Sequence, residues 1–282
     1  MARVAIAQVS PVLGDLERNL STHLERIESA REQGAKLIVF PELSLTGYFL
    51  KDLTADLAME PDHPVLLRLA KASRDIDVVA GYISREDDHS YITAGYWSKG
   101  ELLHRHHKAY LPTYGMFEEG RFVTAGSKLR AFDGPLGRSA MLICEDLWHP
   151  STVGIVSVDG ADLLIGIAAS PARGFGGDRP DSARTYEQMT ELYARLYGLN
   201  VIFANRVGFE DGIGFWGGSR IVDPFGNELV KAPYFEEALI VADVDLSASS
   251  RAQRFMPLTR DERPELTIAE LQRVLARRAE RA

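Results

Sequence analysis

The sequence predicts an α/β fold, an αββα sandwich in which two mixed β-sheets lie inside and helices cover them outside. Three observations predict it. Strand and helix signals alternate from end to end without a linker. Runs such as Leu37-Ile38-Val39-Phe40 are apolar throughout and need cover on both faces. Hairpin-like segments such as Tyr91 to Leu103 need antiparallel neighbours, which makes the sheets mixed rather than purely parallel. At 282 residues, 45% hydrophobic and 26% charged, the chain has ample core for one large domain.

Each element has its own signal. A strand from Ala2 to Val9 leads through a turn at Pro11 to Gly14 into a helix from Asp15 to Gln33. Leu16, Leu20, Leu24 and Ile27 share one face of that helix, and Gly34 stops it. The buried strand Leu37 to Phe40 ends at Pro41, after which Glu42 opens a loop. A helix near Val65 to Arg74 precedes the strand Val78 to Tyr82, and the acidic segment Arg85 to Ser90 reads as an exposed turn. Further strands are predicted at Arg138 to Ile143, Ala161 to Ala169, Asn200 to Asn205, Ser219 to Val222 and Leu239 to Val244. Ser182 to Leu199 reads as a helix capped by Asp181 or Ser182. Thr267 to Arg281 forms a charged helix with Ile268, Leu271, Val274 and Leu275 on one side, after Pro264.

Composition excludes several classes. A net charge of -8 and the absence of a basic stripe argue against nucleic-acid binding. No apolar stretch reaches the ~18 residues of a membrane span, and the N-terminus lacks a signal-peptide plan, so the expected compartment is the cytoplasm. A single cysteine makes neither an internal disulfide nor a C-x-x-C metal or redox site.

That cysteine, Cys144, ends the apolar run Ala140-Met141-Leu142-Ile143 and precedes Glu145-Asp146. Glu42 and Lys108 likewise follow strand-like segments. A thiol attacking an amide carbonyl needs a base, a positive group for the oxyanion and an acid for the leaving amine. Glu42 can exchange the proton and activate water for the thioester. Lys108 can supply positive charge, favouring the thiolate, with a backbone N–H such as that of Glu145 assisting. By residue type alone, though, free cysteine packs as a small hydrophobe, Glu42 reads as a cap or a surface ion-pair member, and Lys108, in the basic stretch from His104, reads as part of a solvated face. Spacing does not show that the three meet. A metallohydrolase on His104, His106 and His107 is another reading; His104 and His106 can share a strand face, but the sequence places no carboxylate or third histidine with them.

The segments Phe40-Pro41-Glu42-Leu43-Ser44-Leu45-Thr46-Gly47-Tyr48, His107-Lys108-Ala109-Tyr110-Leu111-Pro112 and Leu142-Ile143-Cys144-Glu145-Asp146-Leu147-Trp148 resemble the three catalytic signatures of the nitrilase superfamily, in order and in interval. The resemblance runs to about Leu266 and includes Arg260-Asp261-Glu262-Arg263-Pro264-Glu265-Leu266. It implies a nitrilase-type αββα sandwich over residues 1–266, with residues 267–282 a helical tail packing on the domain or on a dimer partner. It also implies hydrolysis of non-peptide carbon–nitrogen bonds, no metal or organic cofactor, homodimers or higher homo-oligomers of stacked sandwiches, and a second glutamate beside the substrate. The matching position is Glu119, orienting Lys108 or the substrate amide, with Glu118 its exposed neighbour.

Nitrilases proper usually place Trp-Glu after the cysteine, and carbamoylases an aromatic followed by Asp. Cys144-Glu145-Asp146-Leu147-Trp148 is similar instead to the glutaminase domain of glutamine-dependent NAD synthetases, as are Leu111 to Arg121 and Ala168-Ala169-Ser170-Pro171. That likeness implies that Tyr48, Phe117, Trp148 and Ser170 line the amide pocket. Those synthetases continue into an ATP-using domain with a Ser-Gly-Gly-x-Asp-Ser loop that this sequence lacks, so the chain is expected not to make NAD by itself. Gly174 to Gly177 and Gly217-Gly218-Ser219 have neither P-loop nor dinucleotide spacing and read as turns or close backbone approaches.

Glutamine would need partners for an α-carboxylate and an α-ammonium. Arg173, Arg179, Arg184, Glu187, Glu210 and Asp211 are the candidates beyond Cys144, and Arg173 leads them. The expected activity is therefore cysteine-dependent cleavage of a small primary amide to acid and ammonia. The alternatives are a nitrilase, an ammonia-donating subunit of a separate synthetase, and a catalytically silent interaction module.

Overall fold

Along the first strand Val4 and Ile6 face one way and Ala5 and Ala7 the other, and all four are fully buried. Such a strand needs a layer on each side, and the computed structural model, which describes residues 1–174 and 179–281, supplies both. Its strands are β1 (Ala2–Gln8), β2 (Leu37–Val39), β3 (Asp77–Glu86), β4 (His89–Ser98), β5 (Glu101–His107), β6 (Ala131–Gly134), β7 (Gly137–Ile143), β8 (Leu163–Ala168), β9 (Asn200–Asn205), β10 (Val207–Glu210), β11 (Ile213–Trp216), β12 (Arg220–Val222), β13 (Glu228–Lys231) and β14 (Ala238–Val244). Its helices are α1 (Leu16–Glu32), α2 (Thr54–Leu57), α3 (Pro64–Ala72), α4 (Pro150–Val158), α5 (Asp181–Tyr197), α6 (Ala248–Phe255), α7 (Leu258–Asp261) and α8 (Pro264–Ala279).

The strands form two six-stranded sheets, ordered β14-β1-β2-β3-β4-β5 and β13-β12-β9-β8-β7-β6, while β10 and β11 pair as a separate hairpin. Each sheet has a parallel centre, β1-β2-β3 in one and β7-β8-β9 in the other, with antiparallel strands at its edges. Val4, Ile6, Val39, Val79 and Ile83 join Met141, Ile143, Ile165 and Phe203 in one core, while Ile38, Phe40 and Val78 pack with Leu20, Ile27 and Leu69 of α1 and α3 in another. The expected αββα sandwich is thus the observed one.

Two local expectations change. Arg85 and Glu86 pair with Ser90 and His89, so the acidic segment is mostly strand. The β3–β4 turn is confined to Asp87 and Asp88, because the hairpin's tip extends past its pairing with β2 and β5, where side chains on both strands can stay charged and solvated. Helix α5 has Pro180 at its N-cap and no side-chain cap. The Ser182 hydroxyl instead donates to the Pro171 carbonyl and accepts from the Arg173 N–H, tying α5 to the segment before it. Helix α8 starts at Pro264 and has no buried residue. The Gly217-Gly218 turn is left-handed at both residues, and a Cβ on Gly217 would meet the Gln8 side chain at 2.5 Å. Phe175 to Asp178 lie outside the described residues, and with them most of the Gly174 to Gly177 segment. Among the described residues no helix is long and apolar enough to cross a membrane.

Glu42, Lys108 and Cys144 follow β2, β5 and β7, so all three stand at the C-terminal ends of their strands, where open α/β sheets place their sites. The loop carrying Glu42 crosses Gly81 so closely that a Cβ there would lie 2.3 Å from the Leu43 nitrogen and 2.7 Å from the Pro41 oxygen. Buried polar groups of α1 hold the same loop. Asn19 bonds both polar atoms of Val12 and the Leu45 carbonyl. Burial lowers His23 to about 4, so its ring is neutral. Its Nδ1–H donates to the Asn19 carbonyl, which leaves Nε2 to accept from the Ser44 hydroxyl at 2.9 Å.

Asp146 joins the two sheets. Its fully buried carboxylate accepts from the Ile143 N–H at 3.0 Å and His106 Nε2 at 2.8 Å on one oxygen, and from the Ala109 and Tyr110 N–H groups on the other. These donors flank Cys144 and Lys108. Asp146→Asn would turn an NH2 group toward one pair of donors and should cost about 2–4 kcal/mol, read from chemical denaturation. Unchanged stability would show that the carboxylate is not the clamp. Gly81→Ala should cost about 2 kcal/mol or more, because the atoms it meets are backbone. A wild-type melting curve would show room that the geometry denies.

Candidate active site

Lys108 is the centre of the site. Its side chain is fully buried, and Nζ donates to Glu42 Oε1 at 2.8 Å and to Glu119 Oε1 at 2.7 Å. Glu42 Oε2 accepts from the Ala169 N–H at 2.7 Å. Glu119 Oε1 also accepts from the Tyr48 hydroxyl at 2.5 Å, while Oε2 is buried with no hydrogen-bond partner in the protein. Burial opposes the Lys108 charge, but the carboxylates of Glu119 and Glu42 outweigh it and hold the ammonium well above the ordinary lysine range. Burial raises the Glu119 carboxyl to about 7, against the pull of Lys108.

Cys144 is 7% exposed and has φ of 47°, left-handed for a residue with a Cβ. It stands where β7 breaks into the one-turn helix Cys144–Trp148, and the Asp146 side chain reaches back to the N–H of Ile143, the residue before that turn. The sulfur lies 3.3 Å from the Tyr186 hydroxyl. Burial pushes the thiol up, Glu42 pushes it further, and Lys108 and Tyr186 pull it down. The expectation that Lys108 would favour the thiolate holds for the sign of its own effect. It fails for the sum, because burial first and the Glu42 charge second outweigh it.

The predicted pocket residues fall in two groups. Tyr48 and Phe117 stand edge to face, 6.5 Å between ring centroids, and help wall a cavity of about 330 Å³ that also reaches Glu119, Leu43, Ile83 and Ile213. Trp148, Ser170 and Arg173 are not on that wall. Trp148 stands edge-on to Tyr186, and the buried Ser170 donates its N–H to Asn205. The Arg173 guanidinium lies 5.0 Å from the Phe117 ring and 5.6 Å from that of Tyr114. Tyr114 in turn donates to Glu145 Oε2 at 2.8 Å.

Several candidates are occupied elsewhere. Glu210 accepts from the Tyr48 and Phe49 N–H groups and pairs with buried Arg206 at 2.6 Å, which fixes the loop that aims Tyr48. Glu187 pairs with Arg179 and Lys231, Asp211 pairs with Lys51, and Arg184 lies 3.9 Å from Asp181. Glu118 is exposed, as expected. The three histidines part company: His104 stacks on Phe132, His106 meets Asp146 and His107 meets Glu86. Among the described residues no group of three His, Cys, Asp or Glu side chains could hold a metal ion.

Tyr186, Asp146, Arg206 and the structural role of Glu210 have no counterpart in the sequence reading. Asp146 alone had a signal, since an acid two places after the cysteine also marks the Trp-Glu and aromatic-Asp patterns. In this arrangement a proton acceptor and an ammonium surround a buried thiol, which suits attack on a small neutral carbonyl.

Comparison with known proteins agrees. Residues 3–254 match the carbon-nitrogen hydrolase family. The chain is 32% identical over 263 residues to the glutamine-dependent NAD(+) synthetase of Thermotoga maritima, covering 92% of this chain and 44% of that protein. It is 28% identical over 279 residues to the chloroplastic omega-amidase of Arabidopsis thaliana, covering 93% and 73% of the two chains. The structure of an amidase variant from Nesterenkonia sp. AN1, with an acetamide moiety bound covalently at its active-site cysteine, superposes with a TM-score of 0.79 at 25% identity, covering 95% and 96%. Fold, matched length and relatives together make this chain a member of the carbon-nitrogen hydrolase family, within the nitrilase superfamily.

Proposed function

We propose that the chain is a cysteine-dependent amidohydrolase that converts a small primary amide to acid and ammonia through a thioester at Cys144. The observation that carries this reading is the buried Lys108 ammonium shared by Glu42 and Glu119 beside the thiol. A thiol held protonated by burial must lose its proton as it attacks. Glu42 takes that proton and passes it to the nitrogen as the C–N bond breaks. Lys108 and the Glu145 N–H receive the charge that develops on the carbonyl oxygen. Glu42 then takes a proton from water, the hydroxide displaces sulfur from the thioester, and the thiol is restored. Glu119, with Tyr48 on the same oxygen, orients Lys108 and offers its unpartnered Oε2 to the amide nitrogen.

Glutamine, or another ω-amide bearing a carboxylate, is the proposed substrate class. Arg173 beside Tyr114 would take the carboxylate, and Glu145, held by the Tyr114 hydroxyl, would take the ammonium. Phe117, Trp148 and Ser170 would enclose the chain between. The Thermotoga and Arabidopsis relatives support this choice by what their names say they act on. The chain spans under half of the Thermotoga relative. Delivery of the ammonia to a synthetase is the second reading, favoured by that relative's name.

Ammonia release measured over a panel of amides that includes L-glutamine tests the activity. Cys144→Ala should lower it by about 10³-fold or more without changing the fold. A folded wild type that releases none, or that turns over nitriles faster than the matching amides, refutes the proposal. Arg173→Ala should raise KM for glutamine about tenfold and leave KM for propionamide within about twofold. An equal rise for both substrates would remove Arg173 from carboxylate recognition.

A further inference from the structure

We propose that the Tyr186 hydroxyl is a further catalytic group, a hydrogen-bond donor to the Cys144 sulfur that stabilises it as the thiolate forms and again as it leaves the thioester. The inference rests on the cysteine chemistry proposed above. Tyr186 belongs to α5, on the outer face of the sheet whose strand β7 carries Cys144, and its hydroxyl reaches the sulfur at 3.3 Å. The side chain is 1% exposed, its ring stacked on Phe203 at 4.7 Å and set edge-on to Trp148 at 5.5 Å. A phenylalanine would fill the same space and keep both ring contacts. The hydroxyl is therefore what needs explaining: its oxygen accepts from the Trp148 indole N–H, and its own O–H, which when buried requires an acceptor, is left for the nucleophile.

The direction of the bond follows from the surroundings. Burial raises the phenol well above its ordinary range, so it keeps its proton and can only donate to an anionic sulfur. The charged groups facing Cys144 are Glu42, Lys108 and Glu119. The two carboxylates oppose the thiolate, and Lys108 is spent largely on them. Tyr186 adds a donor without adding charge. In acylation the S–H proton passes to Glu42 while the new lone pair on sulfur receives the Tyr186 hydrogen bond. In deacylation the S–C bond breaks, its electron pair returns to sulfur, and the same O–H holds it until Glu42 gives the proton back.

Tyr186→Phe tests this, with melting temperature as the control for folding. Loss of the donor should raise the thiol pKa by about one unit, which lowers the thiolate fraction tenfold at pH 8 while its greater basicity returns about threefold. Iodoacetamide should then alkylate Cys144 about three- to fourfold more slowly, and kcat on the preferred amide should fall more than KM changes. Alkylation at the wild-type rate or faster overturns the inference and leaves Tyr186 a core residue. Alkylation is read without any amide, so this failure is distinct from failure of the substrate proposal.

Discussion

Three ionisable side chains, Glu42, Lys108 and Glu119, share a space from which water is nearly excluded, and that burial constrains everything around them. A buried charge is tolerated only when it is paired and its remaining hydrogen-bonding capacity is met. One ammonium cannot satisfy two carboxylates, so the protein adds neutral donors. The Ala169 N–H serves Glu42, and the Tyr48 hydroxyl serves Glu119. Each of these needs support in turn. Ala169 is held where β8 ends, and Tyr48 hangs from the Glu210–Arg206 pair, whose guanidinium lies 4.2 Å from the Phe215 ring.

The same constraint explains why the site lies between the sheets. Glu42 and Lys108 come from one sheet, while Cys144 and Ala169 come from the other. Sandwich packing alone fixes the distance between layers but not the lateral offset of two strand ends. Asp146 fixes that offset, because its carboxylate bonds Ile143 in one sheet and His106 with the turn after Lys108 in the other. Its four donors make a buried carboxylate both affordable and directional. The left-handed φ of Cys144 persists on the same basis, a locally strained residue over-determined by its neighbours.

How much of this was legible in the sequence depends on the range of the interaction. The apolar runs of β2, β7, β8 and β9 announced buried strands because burial on two faces leaves no polar position. Glu42, Lys108 and Cys144 were legible through the segments around them, and Glu119 through the same resemblance. The short strands β6, β10, β11 and β13 carried no such pattern, being partly exposed edge or hairpin strands. Glu210 read as a partner for substrate because a sequence shows a charge but not its counter-charge. Arg206, four residues earlier at the head of β10, had already claimed it. Tyr186 was invisible for a simpler reason: 42 residues separate it from the sulfur it touches.

The electrostatic balance of the site favours a particular order of events in the proposed reaction. Burial and Glu42 hold the thiol protonated, beside a Lys108 ammonium shared with Glu42 and Glu119. Ionising the thiol in advance would add a negative charge beside those carboxyl groups, which burial and Glu42 penalise at Cys144. A neutral amide changes this balance, because the developing oxyanion can sit against Lys108 while the thiol proton neutralises Glu42. The net charge of the cluster then stays unchanged throughout. Attack and proton transfer are therefore coupled, and a carboxylate base, not a preformed thiolate, is what this geometry requires. A group that eases the transient charge on sulfur without altering the net charge is the remaining need, and it is one that an uncharged hydroxyl can meet where a second lysine could not.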